Sequence, residues 1–236
     1  MSSNASEGSF YFDLSGPFVN RFLRIGYFRM IIDFLANSLM LVIMGTVAWK
    51  CIRLKLLRTA NHAVYSTLGL FFFVAWSQML TCHSCWLAKS FWAYILHAVL
   101  GALAMWTGGM GILAKILDKR RENKKFSIND REGHMSSKHS RCGLVGFLFL
   151  LFCVLTGVVL FGVHRAKLQL CHRTFGLFSF GCLASSQWFS FSTVFARREW
   201  NWLWIRGLQL STAIATVLVG YEELFHIVQD LLEYFK

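Results

Sequence analysis

Residues 133–143 read Gly133-His134-Met135-Ser136-Ser137-Lys138-His139-Ser140-Arg141-Cys142-Gly143. Here a basic, polar loop runs into an apolar segment. His139 stands at the start of that segment and Gly143 follows one helical turn later. Residues four apart share a helix face. The same arrangement recurs at three other apolar starts: His62 is followed by Ser66, His97 by Gly101 and His172 by Gly176. A ligand histidine with a small neighbour at the next turn leaves room for a flat macrocycle. Four such positions make two bis-histidine haem sites.

Composition fits that reading. The chain has 236 residues, of which 56% are hydrophobic and 15% charged, with one proline and nine tryptophans. That is too apolar for a soluble domain. Apolar runs of about 20 residues recur, the length a helix needs to cross hydrocarbon. The expected architecture is therefore an all-α integral membrane six-helix bundle with a four-helix dihaem core. It covers residues 27–225, with an N-terminal tail at 1–26 and a C-terminal tail at 226–236. No cleavable signal peptide is expected, because Glu7, Asp13 and Pro17 interrupt the first 25 residues. Asn4-Ala5-Ser6 forms a glycosylation sequon. The net charge of +12 lies in loops, which points to topology and anionic lipid headgroups and not to nucleic acid. The seven cysteines fall mostly in or beside apolar segments and read as small hydrophobes.

Periodicity places helices at about 28–48, 62–80, 91–113, 139–162, 171–195 and 203–224. In the first, Arg29 and Asp33 are spaced to pair. Trp86, Trp92, Trp200, Trp202 and Trp204 suit the interfacial belt. The basic loop 114–138 belongs to no separate domain. Cys82-His83-Ser84-Cys85 reads as an interfacial segment in preference to a metal or redox pair, and His164 and His226 receive no role.

Helix parity sorts the four histidines. His62 and His139 start the second and fourth helices and share one membrane face. His97 and His172 start the third and fifth and share the other. A haem iron bound by two imidazoles is six-coordinate and suited to electron transfer. Two such centres stacked across a bilayer form a transmembrane electron wire. The alternative is a small transporter or channel with a histidine-lined path. Transporters usually carry acidic or broken positions near the midplane, whereas the interiors of the second to fifth helices hold no Asp or Glu.

Residues 60–195 resemble the cytochrome b561 family, ascorbate-dependent transmembrane reductases, and most closely its short six-helix ferric-chelate reductase branch. His134-x-x-x-x-His139-Ser-x-x-Gly143 is similar to the family's fourth-helix entrance. Ile95-Leu96-His97-Ala98 resembles its third, and Ala166-Lys167-Leu168-Gln169-Leu170-Cys171-His172 followed by Gly176 resembles its fifth. In the second helix His62-Ala63 stands where members often have His-Pro. The resemblance implies two haems b, one held by His62 and His139 and the other by His97 and His172. It implies that cytosolic ascorbate donates one electron and that monodehydroascorbate or a ferric chelate accepts it on the far side. Ascorbate is an anion, so Lys89, Arg165, Lys167 and Arg173 are its candidate partners on the His97 and His172 face. His134, Lys138 and Arg141 are the candidates on the other face.

The family has both termini in the cytosol and often forms homodimers. It points to an endomembrane, vesicle or plasma-membrane location. Most of the 24 Lys and Arg lie on the side of loop 114–138, which by the positive-inside rule would place that loop in the cytosol instead. The family orientation is adopted here for the direction of electron flow.

Overall fold

The most apolar stretch of the chain forms helix α5 (Lys138–Gly162), and its start is chemically marked. Ser137 is extended and its side chain accepts from the Ser140 N–H at 3.2 Å, satisfying one orphan donor of the first turn. The computed structural model describes the backbone of residues 17–53, 57–82, 91–123, 137–163 and 165–234, and side chains over 27–53, 60–80, 91–121, 137–163 and 165–232. Among these residues every regular element is helical.

In chain order these are α1 (Pro17–Arg53), α2 (Leu57–Ser66), a π-helical segment (Thr67–Phe73), α3 (Val74–Cys82), α4 (Phe91–Asn123), α5, α6 (Ala166–Ser190), α7 (Val194–Glu199) and α8 (Trp202–Tyr234). Five segments are long and apolar enough to cross a membrane: Tyr27–Arg53, Ala60–Leu80, Phe91–Arg121, Lys138–Gly162 and Trp202–Leu232. Helix α6 has the length but carries Lys167, Arg173 and several Ser and Gln. It packs most of its surface on α5 and α8.

Several boundaries depart from the periodic reading. The fifth helix, expected at 171–195, starts at Ala166 and stops at Ser190. Thr193 then caps the short α7 by accepting from the Ala196 N–H. The sixth, expected to end near 224, continues to Tyr234. Glu222 and Glu223 look like a stop signal in sequence, yet both are buried against cations from other helices. The third continues from 113 to Asn123, with Asp118 buried.

Packing follows membrane rules. Large apolar side chains point outward: Trp106 is 72% exposed, Val158 63% and Val217 66%. The interior holds small and polar groups that let helices approach closely. A Cβ on Gly69 would lie 2.6 Å from the Gly108 backbone nitrogen, so the π segment and α4 cross at glycine. A Cβ on Gly146 would lie 3.0 Å from the Leu183 nitrogen, so α5 and α6 do likewise. Thr67 Oγ1 donates to Gln187 at 3.2 Å, and Ser179 Oγ to the Gly146 carbonyl at 2.9 Å. Helices α1 and α8 pack on one another and flank the four helical units that carry the histidines.

Candidate functional site: two histidine pairs at opposite ends of the bundle

The imidazoles of His62 and His139 face each other with ring centroids 6.0 Å apart and planes at 76°. Those of His97 and His172 are 5.8 Å apart at 71°. The pairs lie at opposite ends because antiparallel neighbours bring the start of one helix beside the end of the next.

Each ring is oriented in the same way. His62 Nδ1 lies 2.9 Å from the Gly111 carbonyl, and His97 Nδ1 lies 2.8 Å from that of Ser77. His139 Nδ1 lies 2.9 Å from the Ser186 carbonyl, and His172 Nδ1 lies 2.9 Å from that of Cys153. A carbonyl only accepts, so Nδ1 carries the proton in all four rings. Nε2 is left with a lone pair. This is how ligand histidines are commonly fixed in tautomer and orientation.

Three of the four contacts are reciprocal. Ser77 Oγ donates to the His97 carbonyl at 3.2 Å, Ser186 Oγ to that of His139 at 2.9 Å, and Cys153 Sγ to that of His172 at 3.5 Å. At His62 the acceptor is a glycine. There Ser66, one turn along the same helix, brings its hydroxyl to 3.3 Å of Nδ1.

A regular spacing underlies this. Each helical unit carries one histidine and, four turns later, the carbonyl that orients a histidine at the other end. The interval is fourteen residues in α4 (His97 to Gly111), α5 (His139 to Cys153) and α6 (His172 to Ser186). Fourteen residues are close to four turns of 3.6, so both positions share a face about 21 Å apart. In the second unit the interval is fifteen, from His62 to Ser77, and this is the unit that contains the π segment Thr67–Phe73. A π turn absorbs one extra residue and restores the phase that fifteen regular α-helical residues would lose.

The small residues one turn after the histidines serve two ends. A Cβ on Gly101 would meet open space. Gly143 and Ser66 instead fill close helix contacts: a Cβ on Gly143 would lie 3.0 Å from Ser186 Oγ, and Ser66 Oγ would lie 2.6 Å from a Cβ on Gly111. Gly157 was not singled out in the sequence. A Cβ there would lie 3.0 Å from His172 Cε1.

Among the described residues no group of three or more His, Cys, Asp or Glu assembles to hold a metal unaided. The site therefore offers paired imidazoles only. That donor set fits a metal whose remaining ligands belong to a macrocycle. The facing imidazoles of each pair would suit a haem iron held between them.

Residues 61–196 match the sequence profile of eukaryotic cytochrome b561. The chain belongs to the cytochrome b561 family. No individual curated protein matches the sequence. As a member of that family the chain is a multi-pass membrane oxidoreductase that carries electrons across the membrane by b-type haem. The histidine pairs and all four of their carbonyl partners lie inside the matched stretch.

The remaining candidate residues are placed unequally. Arg165 and Lys167 are exposed at the start of α6, on the side of His97 and His172. Arg173 is half-buried and turned inward. Its Nε donates to Glu223 Oε1 at 2.7 Å, its Nη2 to Glu223 Oε2 at 3.3 Å and its Nη1 to Asp230 at 2.7 Å. Lys138 and Arg141 are exposed at the start of α5 beside His139, with the Lys138 ammonium 5.9 Å from the Phe189 ring. Lys89, His134, His83, Cys85, His164 and the sequon at 4–6 lie outside the described residues, as does the Cys82 side chain. His226 packs beside Phe225.

Sequence reasoning missed the orienting carbonyls of Ser77, Gly111, Cys153 and Ser186, and it missed Glu222 and Glu223. The carbonyls left no local signal. The carboxylates did, as two adjacent acids inside an apolar run at 203–232.

Proposed function

We propose that this chain passes single electrons between two haems b, one held by His62 and His139 and the other by His97 and His172. The donor is ascorbate on the cytosolic side, and the acceptor across the membrane is a ferric chelate or monodehydroascorbate. The observation that carries the reading is the shared Nδ1–carbonyl bond, which leaves four Nε2 lone pairs in two facing pairs. A haem held by these imidazoles would supply reversible one-electron chemistry.

The chain's own contribution is orientation and spacing. The carbonyls of Gly111, Ser77, Ser186 and Cys153 hold the four rings. The glycines Gly69, Gly108 and Gly146 let the helices that carry the histidines approach closely. Arg165 and Lys167, joined by Lys89 from the sequence, supply the fixed positive charge that an ascorbate anion requires on the His97 and His172 side. Arg173 has its guanidinium on Glu223 and Asp230 and acts there as a brace more than as an open anion site. Lys138 and Arg141 supply positive charge for an anionic chelate on the other side, where His134 is the histidine the family places beside that substrate. The family orientation, with both termini cytosolic, sets the direction, and an endomembrane, vesicle or plasma membrane is the proposed location. A homodimer is the assembly that the family favours.

The test is an absorption spectrum of detergent-purified protein before and after ascorbate, with haem quantified as the pyridine haemochrome. Sharp reduced b-type bands and two haems per chain are expected. His97→Ala or His172→Ala should each leave one. Full haem content in both variants would refute the ligand assignment.

A further inference from the structure

Helix α8 lies outside the four histidine-bearing units, yet it sends a buried carboxylate toward one histidine pair. Glu223 is 7% exposed and takes a bidentate contact from Arg173, the residue after His172. Asp230, two turns along α8 on the same face, takes the other side of that guanidinium at 2.7 Å. Next to them Arg29 Nε meets Glu222 at 3.0 Å, and Asp33 lies one turn along α1. This end of the bundle therefore gathers four carboxylates, Asp33, Glu222, Glu223 and Asp230, against two guanidiniums, Arg173, which is turned inward, and Arg29, whose side chain is 40% exposed. Arg165 and Lys167 are exposed at the surface, where solvent and salt screen them.

The other end is differently charged. Near His62 and His139 the Lys115 ammonium, one turn past the acceptor Gly111, bears on both rings, and the Asp118 carboxylate on His62 alone. Near His97 and His172 the Glu223 carboxylate reaches both rings, offset by Arg173 at His172 alone.

We infer that the α8 cluster centred on Glu223 is a potential-setting device, which holds the haem between His97 and His172 at a lower reduction potential than the haem between His62 and His139. The inference rests on the ligand assignment proposed above. A buried negative charge favours the oxidised, more positive state of a nearby centre, and burial keeps the interaction unscreened. Electrons entering beside His97 and His172 then run downhill toward His62 and His139. Glu223 is a positioning and field-setting residue, not a catalytic one.

The experiment is a mediated spectroelectrochemical titration of the full-length haem-loaded protein, without ascorbate. It is run on wild type, Glu223→Gln and Arg173→Gln, and repeated in a His62→Ala background that retains only the His97 and His172 haem. Glu223→Gln should raise the potential of that haem by about tenfold in its reduced-to-oxidised ratio, ~59 mV for one electron. Arg173→Gln should lower it, and the second haem should move by less than half as much. A purely structural role would not give opposite signs. Asp230→Asn, at a more exposed position, should shift the same haem upward by a smaller amount and serves if Glu223→Gln does not fold. Equal shifts in both haems, shifts of one sign in both variants, or no shift would overturn the inference. Wild-type protein without haem would instead remove the ligand assignment, and this inference with it.

Discussion

Ser186 and His139 hold each other at both ends of one contact. The Ser186 carbonyl accepts from His139 Nδ1 at 2.9 Å, while Ser186 Oγ donates to the His139 carbonyl at 2.9 Å. The backbone carbonyl sets the tautomer and the hydroxyl reinforces the fit. Ser186→Ala should therefore keep the ring orientation and the haem. It removes one neutral hydrogen bond, worth about 1 kcal/mol, so thermal unfolding should move down by roughly 2–4 °C. Loss of a haem in Ser186→Ala would mean that the hydroxyl and not the carbonyl sets the ring.

Gly157 should tolerate no side chain. A Cβ there sits 3.0 Å from His172 Cε1 and 3.3 Å from Nδ1, tighter than ordinary contact, and the ring cannot yield without leaving the Cys153 carbonyl. Gly157→Val should cut haem content by about half, with the loss confined to the His97 and His172 site. Gly162→Val, where nothing lies within 4 Å, is the control and should keep both. The pyridine haemochrome assay reads the difference.

The π segment should be dispensable as a bulge and indispensable as a phase correction. Deleting Leu68 shortens the His62 to Ser77 interval to the fourteen residues of the other units and should retain both haems in a regular helix. Inserting one alanine after Met105 in α4 lengthens a correct interval, rotates Gly111 about 100° away from His62 and should lose the His62 and His139 haem. Haem loss in the deletion and retention in the insertion would contradict the spacing argument. Both variants are compared by haem-to-protein ratio.

Arg29 ties α1 to α8 through Glu222, whose side chain is 6% exposed. The Arg29 side chain is 40% exposed, so solvent screens part of the pair, but removing the guanidinium takes that partner from a buried carboxylate and costs stability. Arg29→Ala should lower detergent thermal stability well beyond Arg198→Ala. Arg198 contacts Glu199 at 3.2 Å from a side chain that is 78% exposed, where an ion pair contributes about 0–1 kcal/mol. Equal effects in a thermal-shift measurement would refute the difference.

By itself, the sequence determined the class of the molecule and the ends at which its histidines stand. Hydropathy and the 3.6-residue repeat are local signals, so apolar lengths reveal membrane helices. Alternating direction then decides which helix starts share a face. The tertiary structure decided what a local pattern cannot hold. The carbonyls that orient the imidazoles lie 19 to 49 residues away in sequence, and a backbone acceptor carries no side-chain signature. The fifteen-residue interval from His62 to Ser77 looks like a lost phase until the π segment restores it. Glu222 and Glu223 look like the end of a helix until Arg29 and Arg173, from helices far earlier in the chain, bury them. A charge can stay in the interior only where a partner meets it, and that meeting exists only once the helices have packed.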